Sequence, residues 1–431
     1  MIKQISDYGV MPSKEIIQTA KIQAAIDDCA QTGAKLVFEK GTYKTGTLFI
    51  KSNTNIELSE GAIISGSTNI EDYPDNDASF VDAVDQKRGK ALILVYKAEN
   101  VHISGKGTIC GNGAMLNIET RPFLVRLVES KNLYLSDISL KDAAAWCLHI
   151  SKSSYVEINE LKINTRVNHN NDGIDIDSSD HITINECDIV SGDDGICLKS
   201  TSEKSCEYVS VKNCRISSNW AAFKIGTETV GDFNHIEISD CYMYDTLGGG
   251  IKFVPTDGAN VKDVTIKNIK MDNCTGPIFI IVGERLRRYA GIGRDSLSTI
   301  EDVVIENIEA TINRAPQRGY YDGEEWGNSI GGIIISGTRK NPIKNLTLKN
   351  ISALLPGGIT EQVSTDVSYI GEKYPEFHRM DPVPAKGVYI RDVVDCRLSD
   401  ISLKFSENDT RELVFTDNTK NLICENITEE A

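Results

Sequence analysis

Three aspartates in two related segments are the residues of this sequence best suited to acid–base chemistry. Asp172 precedes Gly-Ile within residues 170–177, and Asp193 with Asp194 precedes a second Gly-Ile within residues 191–199. Asp172 and Asp194 are 22 residues apart, so a chain that repeats at about this length would place them side by side. Crowded carboxylates repel one another, which raises the pKa of at least one and keeps a proton donor beside ionised groups. This combination suits glycosidic hydrolysis, where one acid protonates the leaving oxygen and a carboxylate activates water.

Two other interpretations of these carboxylates stay open on spacing alone. Aspartates form turn ladders in repeat folds, and Asp175, Asp177 and Asp180 are expected to do so here. The carboxylate-rich run 172–180 could instead hold calcium, because hard cations take oxygen ligands. The spacing therefore favours catalysis without excluding a structural ladder or a cation site.

A sequence repeat is the element that must position the aspartates. From about residue 100 the pattern apolar-x-apolar-x-(Asp/Glu/Asn)-apolar-x-apolar recurs, with starts from residue 133 onward separated by 23, 26, 27, 27 and 28 residues, then by 39, 43, 50 and 26. Each unit alternates like a strand and bends at its Asp, Asn or Cys position. Leucine-rich repeats are the main competitor, but their Leu-x-x-Leu-x-Leu spacing and helical half are absent. The repeat predicts an all-β, right-handed parallel β-helix.

The same pattern predicts a single β-helix domain over residues 1–431. A short capping helix is expected over 14–31, with Ser13 as its N-cap and Gly33 as its stop. Loop insertions in a solenoid project from one face and often wall a binding cleft. The predicted parts are an N-terminal cap with first coils at 1–68, regular coils at 100–430, and insertions at about 283–300, 314–330 and 356–388.

The composition limits the partners that the protein can have. A formal charge of -16 argues against nucleic acid and anionic membrane surfaces, and no apolar stretch is long enough to span a bilayer. Eleven scattered cysteines argue against a disulfide framework or a zinc site. With no secretory stretch at Met1–Ser6, the expectation is a soluble cytoplasmic protein. The sequence gives no prediction of its oligomeric state.

The aspartate segments resemble glycoside hydrolase family 28, the polygalacturonases and other pectin-degrading enzymes. The resemblance extends to further segments along most of the chain, among them Ile22–Cys29, Gly41–Tyr43, Arg121–Pro122, Ile225–Glu228, Tyr374–Glu376 and Tyr389–Arg391. It implies a parallel β-helical hydrolase that inverts the anomeric centre and uses no metal or other cofactor. Asp193 would be the general acid, and Asp172 and Asp194 would hold and activate the water. Carboxyl groups about 6.5–9.5 Å apart would suit inversion.

Substrate-binding residues are expected partly from the resemblance and partly from departures from it. Lys224 stands where the family usually has a small residue, and Arg285 lies in a loop insertion. The expected residues are Asn170, Lys224, Lys252, Glu228, Arg285 and Trp146. The tryptophan could stack on a sugar or could instead be a buried core residue. Where the family has Gly-His-Gly the chain has Trp220-Ala221-Ala222, and where it has Arg-Ile-Lys the chain has Gly250-Ile251-Lys252. One lysine cannot reproduce the two-bond grip of an arginine on a carboxylate.

Three consequences of these losses stay open. Lys224 could bind an acidic sugar together with Lys252 and an arginine from 285–288, the substrate could be a neutral sugar or rhamnogalacturonan, or catalysis could be lost. His169, beside Asn170, is a candidate replacement for the missing histidine.

The predicted function is hydrolysis of pectin-derived oligosaccharides by an exo-acting, inverting enzyme that cleaves galacturonic-acid-type or rhamnogalacturonan-type linkages. Lys199, Lys224 and Lys252 recur at 25 and 28 residues, which raises a β-helical polysaccharide lyase as the alternative enzyme class. A non-catalytic carbohydrate-binding β-helix is the third candidate. Lyase products absorb in the ultraviolet and hydrolase products do not, so product analysis separates all three.

Overall fold

The computed structural model describes residues 1–81, 87–116, 120–314 and 332–430, which consist mainly of short parallel strands. The predicted fold class, an all-β right-handed parallel β-helix, is confirmed. The chain divides into two compact units, Met1–Ile196 and Cys197–Ala431. The prediction of one domain over the whole chain stays a prediction.

The first unit stacks the predicted repeat in register. Parallel pairing places Val101, Leu133, Val156 and Ile182 in one row, and all four are buried. The first apolar position of each repeat is therefore a core position. The strands of this unit are β1 (Ile2–Gln4), β2 (Lys35–Phe38), β3 (Gly41–Thr45), β4 (Leu48–Ile50), β5 (Asn55–Leu58), β6 (Ala62–Gly66), β7 (Phe80–Val81), β8 (Lys87–Arg88), β9 (Ala91–Tyr96), β10 (Glu99–Gly105), β11 (Thr108–Cys110), β12 (Phe123–Val128), β13 (Lys131–Ser136), β14 (Ser139–Lys141), β15 (Leu148–Ser151), β16 (Ser154–Asn159), β17 (Lys162–Asn164), β18 (Ile174–Asp177), β19 (Asp180–Asn185) and β20 (Asp188–Ser191).

The N-terminal helix begins later than predicted. Helix α1 spans Thr19–Thr32 and ends at Gly33, which is left-handed with φ 68° as expected of a helix stop. Ser13 instead forms a β-bridge with Tyr43, and the backbone N–H of Gln18 donates to the Lys44 carbonyl. This stretch therefore runs beside strand β3. Pairing with a strand thus overrides the helical pattern. The described residues also include short 3-10 helices at Ile5–Tyr8, Ile70–Asp72, Gly113–Met115 and Phe377–Arg379.

The second unit includes some longer strands, of up to 15 residues, with the same parallel register. Ile238, Ile266, Ile305, Leu348 and Leu398 form one row, and all are fully buried. These strands are β21 (Ile196–Ser200), β22 (Cys206–Lys212), β23 (Arg215–Ser218), β24 (Phe223–Thr229), β25 (Phe233–Thr246), β26 (Ile251–Phe253), β27 (Asn260–Cys274), β28 (Ile278–Ile281), β29 (Thr299–Ile312), β30 (Ile333–Ser336), β31 (Ile343–Gly357), β32 (Ala385–Val394), β33 (Arg397–Glu407), β34 (Glu412–Lys420) and β35 (Ile423–Glu429).

The predicted bends are left-handed turn residues. Asp240, Asn268, Asn307 and Asn350 have φ of 56°, 56°, 58° and 53°. Each asparagine donates its side-chain amide to the side-chain oxygen on the preceding coil, over 2.9, 3.0 and 2.8 Å. Asn and Asp tolerate this conformation better than other side chains, which explains their recurrence at this position.

Two of the predicted insertions lie in the described part of the second unit. One lies between β28 and β29, and the other between β31 and β32 contains the 3-10 helix Phe377–Arg379. The predicted insertion at 314–330 falls outside the described residues, except for Arg314. No helix in the described part of the chain combines the length and the apolar character needed to cross a membrane.

Candidate active site

The three aspartates form one cluster in the first unit. One carboxylate oxygen from each of Asp172, Asp193 and Asp194 lies within 4.8 Å of the others. The Gly173 amide donates to the Asp194 carbonyl over 2.9 Å, and the Ile174 amide donates to the Gly195 carbonyl over the same distance. This backbone register places the aspartates side by side, as the 22-residue spacing predicts.

Backbone hydrogen bonds hold the Asp193 loop in place. The amides of Gly192 and Asp193 donate to the Asn171 carbonyl over 3.0 and 3.3 Å, and the Asp194 amide donates to Asp193 Oδ1 over 2.9 Å. A Cβ atom on Gly192 would lie 2.8 Å from the Asn168 carbonyl oxygen, so only glycine fits there without a shift. Asp172 and Asp194 are 3% and 2% exposed, whereas Asp193 is half-buried, so Asp193 is the most accessible of the three.

Asn170 contacts this cluster and is held by Arg121, and its predicted role in substrate binding stays a prediction. Asn170 is left-handed with φ 52°, and its Nδ2 atom donates to Asp193 Oδ2 over 3.4 Å. The buried Arg121 donates to Asn170 Oδ1 over 3.1 Å, to the Ala144 carbonyl over 3.0 Å and to the His169 carbonyl. Sequence reasoning missed this role, because Arg121–Pro122 was recognised only as part of the family pattern.

Trp146 lies in an aromatic cluster of the same unit. Its half-buried ring meets Phe123 and His149 edge-on, with centroids 5.4 and 5.1 Å apart, and Phe80 at 6.1 Å. Its predicted role as a sugar platform stays a prediction.

His169 lies next to Asn170 and keeps part of its surface exposed to solvent. Partial burial, followed by the positive charges of Arg121 and Arg88, lowers the pKa of its imidazole. The neutral form of the ring is thus favoured, and its role in place of the missing histidine stays a prediction.

Asp175 and Asp177 do not form the predicted turn ladder. They lie within β18, fully buried, with Asp175 in register with His149 and Asp177 in register with Ser151. Asp177 accepts the Ser178 hydroxyl over 2.8 Å and lies 3.7 Å from His149 Nε2. Both residues belong to a strand, so the sequence pattern was wrong to place them in a turn.

The closeness of the three carboxylates bears on two predictions. Oxygens within 4.8 Å of one another are nearer than the about 6.5–9.5 Å typical of inverting glycosidases. The same set of oxygens could also hold a cation such as calcium. The stereochemical outcome and the absence of a metal therefore stay predictions that rest on the family resemblance.

Each of the substrate-binding residues predicted in the second unit contacts another side chain of that unit. Lys224 is buried, and its Nζ atom lies 3.4 Å from the Tyr374 hydroxyl. Lys252 has no exposed surface and donates to Glu376 Oε2 over 2.5 Å. Sequence reasoning recognised Glu376 only as part of the family pattern and missed its pairing with Lys252, which lies 124 residues earlier in the chain.

Glu228 and Arg285 each belong to a buried ionic group. Burial opposes the ionisation of Glu228, but the charges of Lys199, Arg285 and Lys224 together hold its pKa below the usual value. Its Oε2 atom lies 3.5 Å from Lys199 Nζ.

Arg285 grips the fully buried Asp257 with two bonds of 2.9 and 2.5 Å and donates to the Tyr289 hydroxyl over 2.9 Å. These contacts attach the insertion between β28 and β29 to the coil before it. Substrate binding by Arg285 and Glu228 stays a prediction.

Comparison with known proteins identifies the family. The description "Glycosyl hydrolases family 28" matches residues 30–353 of this chain. The chain belongs to glycosyl hydrolase family 28.

Relatives of this family 28 chain include a probable polygalacturonase of Vitis vinifera, 26% identical over 62% of this chain and 60% of the relative. An exo-poly-alpha-D-galacturonosidase of Dickeya chrysanthemi is 23% identical over 64% of this chain and 56% of the relative. The chain thus spans less than two thirds of the length of both relatives. Among solved structures, the Yersinia enterocolitica family 28 exopolygalacturonase matches with a TM-score of 0.77 at 19% identity, covering 98% of this chain and 78% of that one, which shows the shared fold.

Proposed function

We propose that this family 28 protein hydrolyses α-linked galacturonic acid residues in pectin-derived oligosaccharides. The observation that carries the proposal is the cluster of Asp172, Asp193 and Asp194, whose oxygens lie within 4.8 Å of one another. Asp193, the most accessible, is assigned as the general acid, and Asp172 and Asp194 hold and activate the attacking water.

Replacing Asp193 tests this assignment. Asp193→Asn keeps the size of the side chain but cannot donate a carboxylic proton, so we expect turnover of trigalacturonate to fall by about 10²–10⁴-fold. Activity is measured as released reducing ends in the presence of EDTA, because no metal is expected to take part. Circular dichroism and thermal unfolding serve as the control for folding. Substantial residual turnover by a folded variant would contradict the assignment.

The exo mode and inversion are parts of the same proposal. Two matching proteins, from Dickeya chrysanthemi and Yersinia enterocolitica, are described as exo-acting. We expect monomer or dimer as the first products from longer galacturonans, and a newly formed reducing end in the β configuration. Chromatography of early products and proton NMR of the nascent anomer measure the two properties. A ladder of intermediate oligomers would contradict exo action, and an α anomer would contradict inversion.

Ion pairing of Lys199 and Lys252, two of the three recurring lysines, disfavours these two as the base of a lyase. Lys199 lies 3.5 Å from Glu228, and Lys252 lies 2.5 Å from Glu376. A protonated lysine donates hydrogen bonds and has no lone pair with which to abstract a proton. We expect the products to lack the ultraviolet absorbance of unsaturated sugars. Binding of galacturonan, rhamnogalacturonan and neutral oligosaccharides without products would favour the non-catalytic alternative.

We also infer a cytoplasmic location. Eleven cysteines, ten of which are wholly or partly buried, fit a reducing compartment better than an oxidising one. Short imported oligosaccharides would then be the substrates, which agrees with exo action. Cell fractionation with an antibody against the protein measures the location.

A further inference from the structure

The segment from Tyr374 to Arg379 brings an aromatic ring and a second cation to Lys224. Lys224 Nζ lies 3.4 Å from the Tyr374 hydroxyl and 5.7 Å from the centre of the Tyr374 ring. The Arg379 guanidinium lies 5.9 Å from the same ring. An ammonium and a guanidinium therefore share one phenol ring, although Lys224 and Tyr374 are 150 residues apart in sequence.

A buried ion pair holds this segment in place. Lys252 Nζ donates to Glu376 Oε2 over 2.5 Å, and Trp220 Nε1 donates to Glu376 Oε1 over 2.9 Å. Both charged side chains are almost completely buried, at 0% and 2% exposure. The rings of Trp220, Phe279 and Phe377 surround the ammonium at 5.4, 5.8 and 5.6 Å. Breaking a buried ion pair of this kind is strongly destabilising, so Lys252 anchors the segment from Tyr374 to Arg379.

The strand register explains why Lys224 and Lys252 have different roles. Lys224 on β24 pairs with Lys252 on β26, and neighbouring strands lie about 4.8 Å apart. Two ammonium groups at adjacent positions repel, and Glu376 compensates the charge of Lys252. Lys224 faces Tyr374, which is 37% exposed, and Arg379 is partly exposed. Dissolved ligands can thus reach Tyr374 and Arg379, whereas Lys224, at 2% exposure, contributes its positive charge from a buried position.

We propose that Lys224, Tyr374 and Arg379 form a binding site for the carboxylate of a uronic acid residue. This inference rests on the proposed function and names the substrate group that the second unit recognises. An arginine fork, a phenol hydroxyl and an ammonium all donate hydrogen bonds, and a carboxylate is the sugar substituent that accepts from all three.

In this site an insertion supplies the guanidinium that the family has at the position of Gly250. A Cβ atom on Gly250 would lie 2.6 Å from the sulfur of Met271, so an arginine there would require Met271 to move. Arg379 provides the missing guanidinium on another element, and Lys252, which remains of the Arg-Ile-Lys pattern, positions that element through Glu376.

The test compares a charged and a neutral ligand in the inactive Asp193→Asn background, so that binding is measured without turnover. The probes are trigalacturonate and the corresponding neutral α-1,4-linked galactose trimer, measured by calorimetry. Adding Arg379→Gln should weaken trigalacturonate binding by about 10- to 100-fold and leave binding of the neutral trimer unchanged. Arg379→Lys should recover part of the loss, and Tyr374→Phe should weaken trigalacturonate binding alone.

Arg397→Gln is the matched control, because Arg397 is an exposed arginine paired with Glu425 over 2.6 Å. It should leave both affinities unchanged. Glu376 is buried, so its replacement risks unfolding, and the surface residue Arg379 carries the test instead.

An equal loss for both ligands, no loss, or a loss matched by Arg397→Gln would overturn the carboxylate site. The outcome is separable from that of the proposed function. Wild-type hydrolysis with unchanged trigalacturonate binding in Arg379→Gln overturns the site and keeps the function. Charge-selective binding that Arg379→Gln abolishes, with no hydrolysis by the wild type, supports the site and overturns the function.

Discussion

Carboxylates in this protein differ in the charges that surround them. Asp172, Asp193 and Asp194 face one another, and such like-charge crowding suits proton transfer. Glu228 lies among cations instead, 3.5 Å from Lys199, and its pKa is lowered by Lys199, Arg285 and Lys224 against the effect of burial. An ionised, paired glutamate of this kind contributes to stability.

Glu228→Gln should therefore destabilise the protein in a pH-dependent way. Removing one partner of a buried pair leaves the Lys199 charge uncompensated, so we expect the free energy of unfolding at pH 7 to fall by about 3 kcal/mol or more. The pKa of Glu228 is lower in the folded state than in the unfolded state, so its contribution is complete above the unfolded value of about 4.3 and is lost as the pH falls through the folded value.

Urea unfolding of both proteins between pH 7 and pH 3 measures this difference. The gap between wild type and Glu228→Gln should be widest at pH 7 and should narrow below about pH 4.3. The surface variant Glu309→Gln, whose side chain is 72% exposed, should match the wild type. A gap that stays constant with pH would mean that the charge of Glu228 does not stabilise the fold.

Strands and turns show how a repeat fixes its own register. Apolar rows fill the core, and left-handed Asn or Asp residues join successive coils outside it. Asn307 donates to Asn268 over 3.0 Å and accepts from Asn350 over 2.8 Å. Each bend thus combines an unusual backbone conformation with a side-chain ladder.

Asn307→Ala should lower the free energy of unfolding by about 1–3 kcal/mol, since it loses two ladder bonds and puts alanine at φ 58°. Asn307→Gly loses the bonds but tolerates the conformation, so its loss should be smaller. Thermal and urea unfolding measure both variants, with Glu309→Ala, 72% exposed, as the control. Equal losses for alanine and glycine would show that the conformation costs nothing.

At the scale of the whole molecule, the net negative charge of the protein repels the proposed substrate. The chain carries a formal charge of -16, and oligogalacturonates are also anions. A local pair of cations such as Lys224 and Arg379 acts over a few ångströms, whereas the net charge repels from further away. Salt screens the long-range repulsion more than the short contacts.

The specificity constant kcat/KM for long oligogalacturonates should therefore rise by about two- to fivefold as ionic strength increases from about 0.01 to 0.15 M, where the screening length falls from about 30 to 8 Å. Trigalacturonate should show a smaller rise, because less of its charge extends beyond the contacts. Initial rates across a salt series measure both. A fall in kcat/KM with salt would show that local attraction dominates.

The sequence by itself determined the fold class and the adjacency of the three aspartates. Both follow from local periodicity, because equal coil lengths bring equivalent residues into register, as the bond from Gly173 to the Asp194 carbonyl shows. The tertiary structure decided the start of α1, which pairing beside β3 delays, and the buried positions of Asp175 and Asp177 within β18.

The tertiary structure also decided the partners of the basic residues. Lys252 meets Glu376 across 124 residues, and Lys224 meets Tyr374 across 150. Insertions have no repeat to set their register, so their contacts depend on how a loop folds back over the coils. The sequence period determines which residues of successive coils lie side by side. Only three-dimensional packing determines which loop residue contacts a given lysine.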